Sequence, residues 1–586
     1  MSLADYLIIF AYLAFSFGIA LWQKKEAEKG VEQYFLAGRS LPWWWVGTSM
    51  VATTFAADTP LAITGLVYSG GIVANWLWFS WAVTYVLIFT FFARNWRRSE
   101  VLTDIEFTRI RYGEEQARLL RPIKAVFLGV IINLVILGWV FKAMGKISSV
   151  FFQWQNLLGD QTYAVFLENW PAFLLLGSLD NTLTIFSLLF LVIVYTSLGG
   201  LRSVMFTDLF QFVLAMVGSV YLAWESVEAV GGLSELTAKL QTITAADGTP
   251  VLQLFYSFGG EDTLKSLGVI GLFFLIQPLT QYYSDGTGYL AQRLNAAKSE
   301  QDAIYAGWWF VIANFALRTW PWLLTALASL VYLNVVNQVP ADPELAYPLM
   351  MQQLLGPGML GLVLIGLLAA FMSTVDTHLN WGASYLVNDL LPSPESPEQA
   401  VKRSRSLVIL LGISSVFVAA QMDSIAGAWK FLIALGAGLG IAQLMRWFWW
   451  RVNALAEILS MLGSLSATVF FALFLPETSD ELRIVFAALM AMMACIAGSI
   501  WGSPVKREVI ENFAALVRPV GVWPKGKAAN NLLLFYVLAL LTALFQVYAF
   551  LLTPGFFLQG NTGYALISLC AAVLLFWPIR YSLKKI

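Results

Sequence analysis

The chain has 586 residues, 59% of them hydrophobic and 12% charged, with a formal net charge of −1. The apolar content recurs in separate stretches of span length instead of one core, so the composition describes an all-α polytopic protein of the lipid bilayer. A near-zero charge gives no footprint for nucleic acid, and Cys495 and Cys570 lie inside apolar runs as packing residues, so neither disulfide nor metal chemistry is indicated.

The first apolar run, residues 4 to 22, follows Met-Ser-Leu-Ala-Asp without a basic stretch and reads as a retained helix, not a cleaved signal. Counting onward gives about fifteen helices, centred near residues 13, 53, 83, 135, 190, 217, 278, 320, 374, 413, 437, 464, 491, 542 and 570. Lys24, Lys25, Arg94, Arg97, Arg98, Arg293, Lys402, Arg446, Arg507, Lys584 and Lys585 then fall on one side, while the loops at 153 to 180 and 336 to 357 carry no Lys or Arg. The basic side is expected to be cytoplasmic, which places the chain in the cell membrane with an external amino terminus and an internal carboxyl terminus. Polar gaps near 94 to 121, 227 to 265 and 502 to 530 are of loop size and leave no room for a soluble catalytic or sensor domain.

Two spans carry breaks. The second is interrupted at Thr53-Thr54-Phe55-Ala56-Ala57-Asp58-Thr59-Pro60, where proline lacks a donor and hydroxyls can repair freed backbone groups. The seventh carries Pro278 and then Thr280-Gln281-Tyr282-Tyr283-Ser284-Asp285-Gly286-Thr287-Gly288. With the first span set aside, the broken helices open two consecutive sets of five, the spacing of an inverted repeat with a binding site at the repeat interface. The expected division is 1–40 as an extra helix and loop, 41–230 and 231–452 as the two repeats, and 453–586 as about four additional helices.

In the ninth span Ser373, Asp376, Thr377 and Asn380 fall at i, i+3, i+4 and i+7, one wet face of an apolar helix. A carboxylate at mid-membrane costs roughly 2.5 to 3.5 kcal/mol, so such a stripe normally faces a cavity or an ion path. A cation route is the default reading. His378 lies beside the stripe but off it, as expected of a packed or pore-lining neutral imidazole.

The sequence Tyr195-Thr196-Ser197-Leu198-Gly199-Gly200-Leu201-Arg202-Ser203 resembles the signature of the sodium/solute symporter family. So do Thr207-Asp208-Leu209-Phe210-Gln211, Gln292-Arg293-Leu294-Asn295-Ala296-Ala297-Lys298, and Tyr34-Phe35-Leu36-Ala37-Gly38-Arg39, in the family's order. The resemblance covers about residues 5 to 450. It implies the leucine-transporter fold of five plus five inverted helices, and sodium-coupled symport of a small organic solute by alternating access. By the same resemblance, sodium is held by backbone carbonyls of Ala52, Phe55 and Ala370 and the hydroxyls of Ser373 and Thr374. An uncharged oxygen shell suits a hard cation that must also be released. A further cation or release site would use Asp208 with Ser373, Asp376 and Thr377. Asp376 departs from the family's usual small hydroxyl residue, and its alternatives are a second sodium, a proton relay or a structural hydrogen bond.

The positions where the family places solute contacts are Thr54, Asp58, Thr59, Thr280, Tyr283 and Asn314, with Tyr283 stacking on the solute as a gate. Asp58 meets a cationic or hydroxyl-bearing solute, or else pairs with Arg318 or Lys142. Thr54 and Thr59 stand where longer amides contact sugars in the glucose-type branch, so sugar, amino acid and carboxylate-like solutes all stay open. No cofactor other than the coupling ion is implied, and no nucleophile motif or metal-ligand cluster supports an enzyme. Proton coupling, or a channel or sensor on the same fold, is the alternative.

Overall fold

The computed structural model describes residues 1–27, 36–101, 104–196, 201–256, 263–391, 397–524 and 530–586. Residues 34 and 35, and 197–200 of the family signature, lie outside the described residues. In lipid every backbone polar group needs an internal partner, and the described secondary structure is correspondingly helical, with only isolated β-bridges besides.

In chain order the elements are α1 (Leu3–Ala27), α2 (Trp43–Thr54), α3 (Asp58–Ala74), α4 (Trp76–Ser99), α5 (Asp104–Phe151), α6 (Leu179–Thr196), α7 (Leu201–Glu228), α8 (Leu267–Thr280), α9 (Tyr289–Ala296), α10 (Glu300–Val335), α11 (Met359–Leu390), α12 (Pro397–Ala420), α13 (Ile425–Phe448), α14 (Ala454–Phe474), α15 (Asp480–Trp501), α16 (Arg507–Val517), α17 (Leu533–Leu558) and α18 (Thr562–Lys585). Among the described residues eleven helices are long and apolar enough to cross a bilayer. The bent pair α2–α3 is long and apolar enough when taken together, and α1, α6 and α8 contain shorter apolar helices. Together they coincide with the fifteen centres read from the sequence.

One expectation needs correction. The polar stretch 94 to 121 is largely helical, because Asp104 opens a 48-residue helical stretch, kinked at Gly113 (φ 80°), that runs through the bilayer segment to Phe151. Asp104 and Glu106 in its first turn complement the helix dipole, and Ile105, Phe107, Thr108 and Tyr112 bury one face. Charge content disguised a half-buried helix as a loop. The gap at 502 to 530 likewise contains α16, which buries Ile510, Phe513, Ala514 and Val517.

The core is built from α2, α7, α10 and α11 packed around the first break and from α13 packed against the second, with α5 and α12 alongside. The additional helices α14 and α15 pack on α13 and on each other, and α17 and α18 form an outer pair. Leu534, Phe545, Leu566 and Trp577 on that pair remain exposed, which suits an acyl-chain environment. Cys495 is buried, as its packing role requires, whereas Cys570 is exposed on α18.

Candidate functional site

The first break is a bend of 59° between α2 and α3. Phe55 leaves helical geometry at φ −82° and ψ 83°, and Pro60 sits in the first turn of α3, where its missing N–H removes no intrahelical bond. Thr53 donates to the Ser49 carbonyl at 2.9 Å and Thr54 to the Val51 carbonyl at 2.9 Å, so the hydroxyls fold back on the end of α2. Arg318 reaches across from α10 and donates to the Val51 carbonyl at 3.3 Å. A guanidinium at the C-terminal end of a half-helix meets its negative dipole. A π-helical turn, Ala313–Leu317, re-aims α10 at this point, and Thr54 Oγ1 stands 3.1 Å from the Asn314 side-chain amide.

Asp58 opens α3 and is 3% exposed, yet its Oδ1 has no hydrogen-bond partner. The alternative pairing with Arg318 or Lys142 makes no ion-pair contact among the described residues, and Arg318 acts on Asp58 only through space. Arg318 is committed to the carbonyls of Val51 and Asn314, while the electrostatic neighbours of Lys142 are Lys146, Asp342 and Asp423. A buried carboxylate oxygen without a partner costs stability.

The same space collects further buried donors: Asn314 Nδ2, Arg318 Nη2 and Trp81 Nε1 have no acceptor, while the Trp429 indole faces the Asp58 carboxylate and the Tyr283 hydroxyl faces Tyr85. Ring contacts link these residues. Trp81 and Trp429 lie 5.1 Å apart, Trp78 lies 5.1 Å from Trp81 and 5.2 Å from the Arg318 guanidinium, and Tyr283 stacks on Tyr85 at 5.2 Å. An aromatic box with inward N–H groups suits a small solute rich in acceptors.

The second break runs from Gln281, which is extended, to Gly288 at φ 85°. Thr280 spends its hydroxyl on the Gln277 carbonyl at 3.0 Å. The break lies flat on α13 because that helix offers glycine there. A Cβ on Gly436 would stand 2.9 Å from the Thr280 carbonyl oxygen, and one on Gly440 would stand 2.6 Å from that of Leu279. Gly440→Ala is therefore expected to cost about 1–3 kcal/mol through overpacking, read as a lower melting temperature in detergent.

On α11 Thr374 donates to the Ala370 carbonyl at 2.9 Å and Ser373 donates to Asp208 Oδ1 at 3.0 Å. Both hydroxyl protons are thereby turned away, leaving oxygen lone pairs for a cation. The other Asp208 oxygen accepts from Ser49 of α2 at 2.7 Å, so one carboxylate bridges α2 to α11 a turn before the break. Arg293 of α9 donates to the Ser49 hydroxyl at 3.2 Å and stands 3.8 Å from Asp208.

Asp376 accepts from Asn380 at 2.7 Å, and Thr377 is half-buried beside it. Thr59 is buried in the first turn of α3. His378 meets Asn133 at 2.9 Å and is buried, in keeping with a packed imidazole. Among the described residues no group of three or more His, Cys, Asp or Glu is placed to hold a metal ion.

The structure thus brings Thr54 to Asn314 and Asp208 to Ser373, and it adds Ser49, Arg293, Trp81 and Trp429, which the sequence did not single out. The Gln-Arg motif at 292 and 293 was a signal for Arg293. The two tryptophans gave none, because indoles in an apolar span read as anchors.

The sodium:solute symporter family matches residues 34–147 and 172–464. The sodium/glucose cotransporter of Vibrio parahaemolyticus is 25% identical over 525 residues, covering 85% of this chain and 90% of that protein. Sodium/glucose cotransporter 1 of Ovis aries is 26% identical over 446 residues, covering 71% of this chain and 62% of that protein. Sodium/myo-inositol cotransporter 2 of Homo sapiens is 23% identical over 480 residues, covering 77% and 66%. Among solved structures, a Na+-coupled sialic acid symporter in a substrate-bound outward-open state superposes with a TM-score of 0.65 at 20% identity, covering 86% of this chain and 99% of that one. That likeness shows the leucine-transporter-like architecture. Two broken helices heading successive sets of five, with extra helices at both ends, are what this fold is, and the chain belongs to the sodium:solute symporter family.

Proposed function

We propose that this chain carries a small organic solute into the cell together with one sodium ion by alternating access. The observation that carries the reading is the Asp58 carboxylate, buried at a 59° helix break with one oxygen outside any direct hydrogen bond and the Trp429 indole and Arg318 guanidinium beside it. Sodium would sit between the carbonyls of Ala52, Phe55 and Ala370 and the hydroxyls of Ser373 and Thr374, drawing the first break against α11. Solute would fill the aromatic box, touching Thr54, Asp58, Thr59, Thr280, Tyr283 and Asn314. The inward indole and amide donors, and the glucose and myo-inositol named for two relatives, favour a polyhydroxylated solute. Each ligand then raises affinity for the other.

The repeats would span 41–230 and 231–452, with the basic loops facing the cytoplasm. Asp208 serves as a release station instead of a second resident sodium site, because Arg293, Ser49 and Ser373 already surround its carboxylate. Asp376 and Thr377 would line the same exit. One charge moved through 100 mV is worth about 2.3 kcal/mol, so a single sodium supports about a 50-fold solute gradient from voltage alone.

The test is uptake of radiolabelled glucose and myo-inositol into proteoliposomes under a sodium or a choline gradient. Uptake is expected only with sodium and with a Hill coefficient of about 1 for the ion. Equal uptake in choline overturns sodium coupling. A coefficient near 2 that falls to 1 in Asp208→Asn gives Asp208 a second ion.

A further inference from the structure

The role of the helices beyond the ten-helix core is the open question, and Glu457 is a charged residue of theirs that enters the core. Glu457, in the first turn of α14, is fully buried. Its Oε2 accepts from Lys124 at 2.9 Å, and its Oε1 accepts from the Tyr112 hydroxyl at 2.6 Å and from Arg446 Nη1 at 3.5 Å. Lys124 and Tyr112 belong to α5, and Arg446 to the end of α13.

The other edge of the same guanidinium grips the second break. Arg446 Nη2 stands 2.5 Å from Asp285 Oδ2 and 2.9 Å from the Thr287 hydroxyl, and Nε stands 3.1 Å from Asp285. The Trp447 indole donates to the same carboxylate oxygen at 2.6 Å. Two carboxylates and two cations form a neutral cluster closed to water, with Asp285 on the broken segment and Glu457 on a helix packed outside the core.

We infer that Glu457 is a positioning residue for transport: it holds Arg446 back against α14, making the guanidinium a fixed catch that Asp285 engages when the basic end of the bundle is shut. A catch works only if it does not travel with what it holds. Tied to α14 and α5 through Glu457, Arg446 stays in place while Asp285 leaves or returns with the break. Without the Glu457 charge, Arg446 is held by Asp285 alone and follows it, and the closed state loses its stop. Removing one carboxylate also leaves the buried cluster with an excess positive charge, which favours opening to water. Arg111 secures the seat from behind, donating to the Arg446 carbonyl at 2.9 Å.

The inference rests on the reading of the chain as a sodium-coupled symporter, and its test separates the two. A single thiol is introduced by Ser284→Cys in a Cys495→Ala/Cys570→Ser background. Its modification by a membrane-impermeant thiol reagent is timed from each side of sealed vesicles, and 22Na+ influx into proteoliposomes is measured without solute. In Glu457→Gln, modification from the basic side and the solute-free sodium leak are both expected to rise about tenfold. Glu457→Asp restores most of the protection. Tyr112→Phe, which deletes one hydrogen bond and no charge, shifts both readouts in the same direction by a smaller factor.

Unchanged thiol rate and leak in a Glu457→Gln protein that melts like its parent overturn the inference. If that variant fails to reach the membrane, the charge-balanced Lys124→Met/Glu457→Gln takes its place, and unchanged rates there overturn it equally. Faster thiol modification in a chain whose parent shows no sodium-coupled uptake of any solute would defeat the symporter reading and leave the catch standing.

Discussion

Ser373→Ala combined with Thr374→Ala is expected to abolish sodium stimulation of uptake while the protein still inserts and folds. Two hydroxyl ligands to a cation are removed. At about 1.5 kcal/mol each, the loss is about 3 kcal/mol, or on the order of a 150-fold weaker dependence on sodium. Folding survives because Asp208 keeps Ser49 and Arg293 when Ser373 is gone, and because the Ala370 carbonyl that Thr374 engages belongs to the helix ladder. The measurement is initial uptake against sodium concentration, set beside the detergent melting temperature. Wild-type sodium activation in the double variant would show that the ion does not meet α11.

Asp58→Asn should separate stability from function in the opposite sense. The buried carboxylate has an oxygen with no partner, so its neutral isostere is expected to stabilise the empty protein by about 1–3 kcal/mol. The same change removes the acceptor that a hydroxyl-bearing or cationic solute would meet, and sodium-dependent stabilisation by solute should vanish. A thermal-shift series with sodium or choline, over sugars, amino acids and carboxylates, reads both effects. A lower melting temperature with solute stabilisation intact would give Asp58 a structural role only.

The spans were legible because lipid imposes a length and an apolar run on each of them, and every centre read from the sequence falls in an apolar helix. The breaks were legible because Pro60 and the Gly286–Thr287–Gly288 stretch are local chemistry. What was not legible is long-range choice of partner. Ser49, Asp208 and Arg293 meet across separations of 159 and 244 residues, and nothing near any of them names the others. Arg318 was one of two alternative partners read for Asp58; beside a π-helical turn it donates instead to the end of α2, with Asp58 as an electrostatic neighbour. The stretch from Asp104 failed for another reason. Arg109, Glu114, Glu115 and Arg118 stay exposed while Arg111 and Lys124 are buried with the apolar face, and composition averages the two.

His378, the lone imidazole of the chain, is spent on Asn133 and wedged edge-on against Trp381. It is also the only side chain whose ordinary titration falls between about pH 5 and 8. Once it serves as masonry, acidity has no dedicated carrier within the bundle. Any hydrogen ion making the crossing would have to ride on a carboxylate or arrive already attached to the cargo.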